Sequence, residues 1–321
     1  MIIVTGAMGF IGSGLVGYLN SQGHQDLIVV DDFYKWKKEK NLLGKRVHEW
    51  VHRDLFIAYF EKIASQVDVA FHLGARTDTI SPDKEIFEAL NLQYSKEIWE
   101  VCTRFEIPLI YASSAATYGD GRYGFSDSHD SILNLQPLNQ YAISKHQFDI
   151  WALAQTHTPP VWYGLKFFNV YGPNEGHKAR MASVIYHAFH QINESGKLRL
   201  FKSHHPDYKD GGQLRDFIYV KDVHEMMMDI YAKQPPTGIY NVGTGTARTF
   251  EDLGTACFKA LKTPVNIEYF DIPPDLKDKY QNFTEADMTK WKEADLIFPA
   301  TSLEQGIRDY ILQYLLPGKF Y

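Results

Sequence analysis

Cysteine is nearly absent: Cys102 and Cys257 are the only two in 321 residues, and no Cys-x-x-Cys occurs. That excludes a disulfide scaffold and a thiolate metal site, and it fits a reducing compartment. Both read as small buried apolar side chains. No apolar run approaches the ~18 residues that a membrane helix needs. Basic residues are not in excess: 33 Lys and Arg stand against 39 Asp and Glu, a net charge of -6. No global positive field is therefore available to hold nucleic acid or an anionic membrane. No basic segment leads into an apolar core at the start, where "MIIVTG" reads as a strand, so a cytoplasmic location is expected. Repeats, low-complexity tracts and flexible linkers are also missing. What remains is ordinary globular composition, 45% hydrophobic and 22% charged. It suits one large domain or two unequal ones.

The first half alternates short apolar runs with helical patterns. "IIVT" (2–5), "DLIVVD" (26–31), "DVAFHLG" (68–74), "PLIYASS" (108–114) and "VWYGLKFFNV" (161–170) read as strands. Helical spacing runs through 10–22, 84–104 and about 141–156. Continuous apolar strands between helices predict an α/β fold, a parallel sheet covered on both faces. Beyond residue 170 the spacing predicts a helix over 179–195, a polar loop over 201–216, a Met-rich helix over 222–233 and a strand in "IYNVGTG" (239–245). Residues 249–321 mix helix with Pro-rich turns. His204, His205 and Asp207 crowd together but lack a second ligand pair, so no metal is expected.

"TGAMGFIG" follows the first strand and opens a helix, the context of a dinucleotide loop. Gly6 permits the tight turn, Gly9 lets the backbone approach a pyrophosphate, and Gly12 lets the helix pack closely. Asp31 and Asp32 end the second strand, where an acid takes the ribose hydroxyls and favours NAD. Lys35, Lys37, Lys38 and Lys40 follow at once, and a lysine there pairs with the 2′-phosphate of NADP. Composition leaves NAD and NADP open.

In "YAISK", Tyr141 and Lys145 are one helical turn apart, on one face. A neighbouring ammonium lowers a phenol's pKa, which would let Tyr141 exchange a proton with an alcohol. Alone, this pair is a weak signal.

The loop, "ASSAATYG" (112–119) and "YAISK" stand in an order that resembles the extended short-chain dehydrogenase/reductase family. "FFNVYGP" (167–173), "RDFIYVKDV" (215–223) and "YNVGTG" (240–245) extend the likeness over most of the chain. The resemblance implies a Rossmann-type doubly wound parallel sheet with a smaller α/β substrate domain. The expected division is 1–168 plus 216–247 for NADP binding, and 169–215 plus 248–321 for substrate. It also implies a catalytic set of Ser114, Tyr141 and Lys145. Cofactor contacts are expected at Gly6, Gly9, Phe10, Ile11, Gly12, Asp31, Asp32, Lys38, Arg53, Leu73, Gly74, Ala75 and Asn91, and at Tyr141 and Lys145.

Dehydratases of this family carry an Asp-Glu pair where this chain has Ala115 and Ala116, which disfavours water elimination. "EGHKARMASV" (175–184), "LNLQYSKE" (90–97), "QLRDFIYVKDV" (213–223) and "YQNFTEADMTKW" (280–291) resemble the branch that epimerises an ADP-linked heptose at C6. That likeness implies a nucleotide-sugar isomerase serving lipopolysaccharide core precursors, NADP as cofactor, and Lys178 as a second base. Lys178 as a mere binder of phosphate or nicotinamide is the competing reading. The substrate is expected to meet Ser114, Asn169, Lys178, Arg180, His187, Phe201, Lys202, Ser203, His204, Arg215 and Tyr280. The family suggests a homo-oligomer. An NAD(P)-dependent UDP-hexose 4-epimerase is the alternative within the fold; a catalytically inactive dinucleotide-binding regulator is the alternative outside enzymes.

Overall fold

The structure, a computed structural model, describes residues 1–34, 36–273 and 281–321. The strands are β1 (Ile2–Thr5), β2 (Leu27–Asp31), β3 (Glu49–His52), β4 (Val69–His72), β5 (Leu109–Ser114), β6 (Trp162–Phe167), β7 (Asn169–Tyr171), β8 (Leu198–Phe201), β9 (Leu214–Tyr219), β10 (Gly238–Val242), β11 (Ala247–Thr249) and β12 (Ile267–Phe270). The helices that matter for the site are α1 (Phe10–Ser21), α2 (Arg53–Ile63), α3 (Lys84–Phe87), α4 (Tyr94–Arg104), α5 (His129–Ile132), α6 (Gln140–Leu153), α7 (Val184–Ser195), α8 (Val220–Lys233) and α9 (Phe250–Leu261).

Seven strands form one sheet in the order β10-β6-β5-β4-β1-β2-β3, each pair parallel. Every residue of β1, β2 and β4 is buried, as two covered faces require. The order reverses between β1 and β4, the place where ligands bind in open α/β sheets. Two smaller sheets, β11-β9-β7 and β12-β8, lie apart from it. One apolar core surrounds the large sheet; a second gathers Ile185, Phe189, Leu200, Phe217, Leu253, Phe258 and Ile307. Phe10 belongs to the second core although it opens α1. Trp291, from the late chain, belongs to the first.

Several elements differ from expectation. β3 and α2 were not anticipated, because in β3 only Val51 is buried while Trp50 stays half-exposed on the sheet edge. The 161–170 run divides: the chain leaves the large sheet after Phe167 and enters another at Asn169. The helix expected from 179 starts at Val184, where Ser183 caps it by accepting from the Tyr186 amide. The 84–104 helix contains a π-helical segment at Glu88–Gln93. No helix among the described residues is long and apolar enough to cross a membrane.

Candidate active site

The glycine loop closes on itself. Gly6 has φ +66°, and a Cβ there would lie 2.6 Å from the Cα of Gly74. A Cβ on Gly12 would overlap the Gly6 carbonyl oxygen, and one on Gly9 would lie 2.9 Å from it. Gly9 precedes α1 as a cap with no side chain, and no acid stands in the helix's first turn. Its first amides and the positive end of its dipole are left for an anion. These features fit the pyrophosphate of a dinucleotide. The cleft above them has a volume of about 680 Å³ and is lined by Gly6, Gly9, Phe10, Ile11, Gly12, Asp31, Asp32, Lys38, Arg53, Leu73, Gly74 and Ala75.

Asp31 braces the loop, accepting from the Met8 amide at 2.9 Å and facing Lys38 Nζ at 3.5 Å. Arg53 Nη2 faces Asp32 at 3.5 Å. Each acid at the ribose end therefore has its own cation. Of the residues expected to touch cofactor or substrate, Asn91, Ser114, Tyr141 and Lys145 are not among those that line the cleft. Asn91 Oδ1 accepts from the Arg76 amide at 2.7 Å, and its Nδ2 donates to the Arg76 carbonyl at 2.9 Å and to Ser144 Oγ at 3.0 Å. The carboxamide is consumed in holding the Arg76 peptide and Ser144.

A polar chain crosses the core from β1, just before the glycine loop, to α6. Thr5 Oγ1 meets His72 Nδ1 at 2.7 Å, and His72 Nε2 meets Ser95 Oγ at 2.9 Å. Ser95 donates to the Asn91 carbonyl at 2.6 Å, and Ser144, which accepts from Asn91, donates to the Tyr141 carbonyl at 2.7 Å. Because Ser95 spends its proton on Asn91, the network assigns the ring proton of His72 to Nε2. Burial, aided by the charge of Lys145, pushes His72 down to about 3, so the ring stays neutral.

α6 starts one residue before Tyr141, capped by Asn139, whose side chain accepts from the Ala142 amide at 2.9 Å. Ser114 ends β5 two residues after Ala112, a cleft residue. Tyr141 is hydrogen-bonded to Ser114. Lys145 is buried on the same helix face, and burial pushes it down to about 8 against the opposing pull of Asp149. The expected lowering of the phenol is not seen. Burial raises Tyr141, the Ser114 hydrogen bond opposes this, and Asp149 adds to the rise. Desolvation of the phenolate outweighs the nearby ammonium here. Ser113 faces away from the cleft and donates to Asp149 Oδ2 at 2.6 Å.

The loop Gly176–Met181 brings Lys178 into the cleft, with Nζ 5.3 Å from the Phe10 ring centroid. Burial lowers its pKa, and Glu175 opposes that. Glu175 anchors the loop: its carboxylate accepts from the Ser183 amide at 2.5 Å and the Ser183 hydroxyl at 2.6 Å. Ala179 sits at φ 49°, ψ −123°, a region rarely occupied by a residue with a Cβ. Asn41 ties this loop to the glycine loop, donating to the Met8 carbonyl at 3.0 Å and the Asn174 carbonyl at 3.1 Å.

The sequence profile of the NAD dependent epimerase/dehydratase family matches residues 2–243. The chain belongs to that family. It is 47% identical, over 98% of both chains, to an ADP-L-glycero-D-manno-heptose-6-epimerase of Nitratidesulfovibrio vulgaris (strain DP4). A protein of the same name from Fusobacterium nucleatum is 42% identical over 98% of each chain. The crystal structure of the Helicobacter pylori ADP-L-glycero-D-manno-heptose-6-epimerase superposes with a TM-score of 0.82 at 28% identity, covering 97% of this chain and 95% of that one. As a member of the epimerase/dehydratase family the protein is an enzyme that uses a nicotinamide dinucleotide.

Of the residues expected to meet substrate, Lys178 and Arg180 line the cleft. Phe201, Lys202, Ser203 and His204 lie at and just after β8, with Lys202 Nζ 3.2 Å from Asp271 and the Ser203 amide donating to Asp210 at 2.8 Å. His187 is on α7, and Asn169 begins β7 with its side chain exposed. Arg215 is buried; it donates to the Leu214 carbonyl at 2.9 Å and to the Gln281 carbonyl, with its guanidinium 5.6 Å from the Phe250 ring. Tyr280 lies outside the described residues. Sequence reasoning missed Arg76, Thr77, Asp78, Tyr94, His177 and Met181, which also line the cleft. Arg76, Thr77 and Asp78 follow directly on Leu73, Gly74 and Ala75, and that adjacency was the available signal for the three. Asp78 joins two walls, 3.2 Å from Arg76 and 3.7 Å from Arg180. Among the described residues no cluster of three metal-ligating side chains occurs.

Proposed function

We propose that the enzyme interconverts ADP-D-glycero-D-manno-heptose and ADP-L-glycero-D-manno-heptose at C6, with NADP as its resident cofactor, supplying precursors for lipopolysaccharide core. The observation that carries this reading is Lys178. A second amine, half-buried, enters the same cleft as the glycine loop, on a loop whose sequence resembles the heptose branch. The near-full-length identity to the heptose epimerases supports it.

Inverting a secondary alcohol by oxidation requires loss of hydride and proton from one face and their return to the other. A nicotinamide dinucleotide held at the glycine loop by Gly6, Gly9, Gly12, Asp31 and Asp32 would supply the hydride acceptor and donor for C6. Tyr141 accepts the C6 hydroxyl proton, while Ser114 donates a hydrogen bond to the same oxygen as it becomes a ketone. Burial raises the phenol, so Tyr141 can act as base only as the Ser114 hydrogen bond and the buried ammonium of Lys145, one turn along the same helix face, offset that rise while the proton moves. Lys178, whose burial favours the neutral amine, handles the proton when the ketone presents its other face. Ala115 and Ala116 offer no acid–base pair for removing water. Lys38 and Arg53 stand where a 2′-phosphate would add charge, which supports NADP over NAD. The large parallel-sheet core is read as the cofactor domain and the second core as the sugar domain.

Purified protein incubated with ADP-D-glycero-β-D-manno-heptose and no added reductant is expected to yield the L-glycero epimer, and Tyr141→Phe to abolish it. Turnover of UDP-galactose alone would replace this reading with the 4-epimerase. Cofactor binding without turnover of either sugar would overturn the heptose assignment.

A further inference from the structure

Behind the proton-handling set lies a charge pair that the mechanism has not used. Tyr141, Lys145 and Asp149 follow one another at four-residue intervals, so they form one stripe of α6. Lys166 is the register partner of Ser113 across β5 and β6. Its Nζ donates to Asp149 Oδ2 at 2.6 Å, and both side chains are 0% exposed. Asp149 is fully engaged: Ser113 Oγ donates at 2.6 Å and Tyr111 OH at 3.1 Å. Lys166 also donates to Thr117 Oγ1 at 2.6 Å, and Thr117 donates to the Ser114 carbonyl at 2.8 Å. A buried pair of this kind rarely adds stability over apolar residues of equal volume. Its cost to folding invites another role.

We propose that the Asp149–Lys166 pair is a positioning unit for catalysis: Asp149 keeps the buried Lys145 charged, and Lys166, through Thr117, fixes the peptide that carries Ser114. This rests on the proposed use of Ser114, Tyr141 and Lys145. The groups that face the set come from several elements: His72 on β4, Tyr111 on β5, Tyr118 just after it, Lys166 on β6, and His146 on α6 itself. Lys84 and Glu85 on α3 and Glu88 on the π-helical segment also lie against α6, but they are exposed. Among these, Asp149 is the buried carboxylate. It raises the proton affinity of both Lys145 and Tyr141. Without it, both groups would titrate at lower pH.

The test uses cofactor-bound Asp149→Asn and the charge-neutral double variant Asp149→Asn/Lys166→Met, which leaves no orphaned ammonium in the core. The kcat–pH profile with ADP-D-glycero-D-manno-heptose is expected to move toward lower pH on both limbs, with kcat at neutral pH down about tenfold. A readout independent of turnover is the tyrosinate absorbance of Tyr141, isolated by subtracting the same protein carrying Tyr141→Phe; it is expected to shift the same way. If wild type fails to turn over the heptose, the functional reading fails, and the tyrosinate titration still decides this one. Thr117→Val is expected to lower kcat about tenfold at unchanged KM, and Thr117→Ser to restore it. Folded variants whose titration stays in place would overturn the proposal. So would the failure of both Asp149 variants to fold, which would make the pair a stability element. A Thr117→Val enzyme with wild-type kcat would remove the Ser114 half.

Discussion

Lys178 stands over Phe10, its Nζ 5.3 Å from the ring centroid, so the late loop that carries a second amine meets the first residue of the dinucleotide helix. A cation above an aromatic face is held in place without surrendering its donors. Lys178→Met is therefore expected to cost ~10²–10⁴ in kcat while leaving cofactor affinity within a few-fold of wild type. Lys178→Arg separates the two roles, since a guanidinium binds anions but does not give up its proton. Restored turnover in Lys178→Arg would reduce Lys178 to a binder.

Gly6→Ala is expected to weaken cofactor binding at least tenfold. The residue holds φ +66°, and its new Cβ would collide with Gly74, forcing apart β1 and the chain after β4. Titration of the variant with NADPH, followed by cofactor fluorescence, checks this. Unchanged affinity would mean that the loop relaxes at no cost.

Cofactor choice is expected to depend on Lys38. Lys38→Ala should raise the Kd for NADP by about tenfold and leave that for NAD nearly unchanged, because only the former carries a 2′-phosphate. Equal losses for both would place Lys38 on Asp31 alone, as a loop brace.

Acid stability should report on His72. Its pKa is about 3 in the fold and near 6.5 in the unfolded chain, so between those values the unfolded state binds the extra proton. The stabilisation is complete above pH ~6.5 and is lost progressively as pH falls toward 3. His72→Asn should be less stable at neutral pH, with a shallower decline across that window, measured by urea unfolding at stepped pH. Parallel curves for the two proteins would refute the assignment.

Much of the large sheet and its glycine loop was legible because local chemistry forces it. A strand, three glycines and an uncapped helix admit few structures, and Asn139 one residue before α6 fixes where the "YAISK" helix starts. The missed features are decided by tertiary context. β3 shows a single buried residue, Val51, so no alternation betrays it. Nothing between Phe167 and Asn169 marks a departure from the sheet; the partner strands β10 and β9 decide it. Ala179 has a positive φ that its residue type does not announce. Asp149 was readable from its spacing to Tyr141, but its partner Lys166 belongs to another strand, and no local pattern links the two. The depressed phenol inferred from Tyr-x-x-x-Lys ignored burial, which the spacing of two residues does not encode.

The hydrogen-bonded line from Thr5 through His72, Ser95, Asn91 and Ser144 to the Tyr141 backbone ties β1 to α6. The placement of the glycine loop relative to Tyr141 is thus set inside the large core at folding. None of these groups belongs to the second core or to β8 and its neighbours. Substitutions confined to that outer part therefore leave this line of hydrogen bonds, and with it the alignment of β1 against α6, untouched.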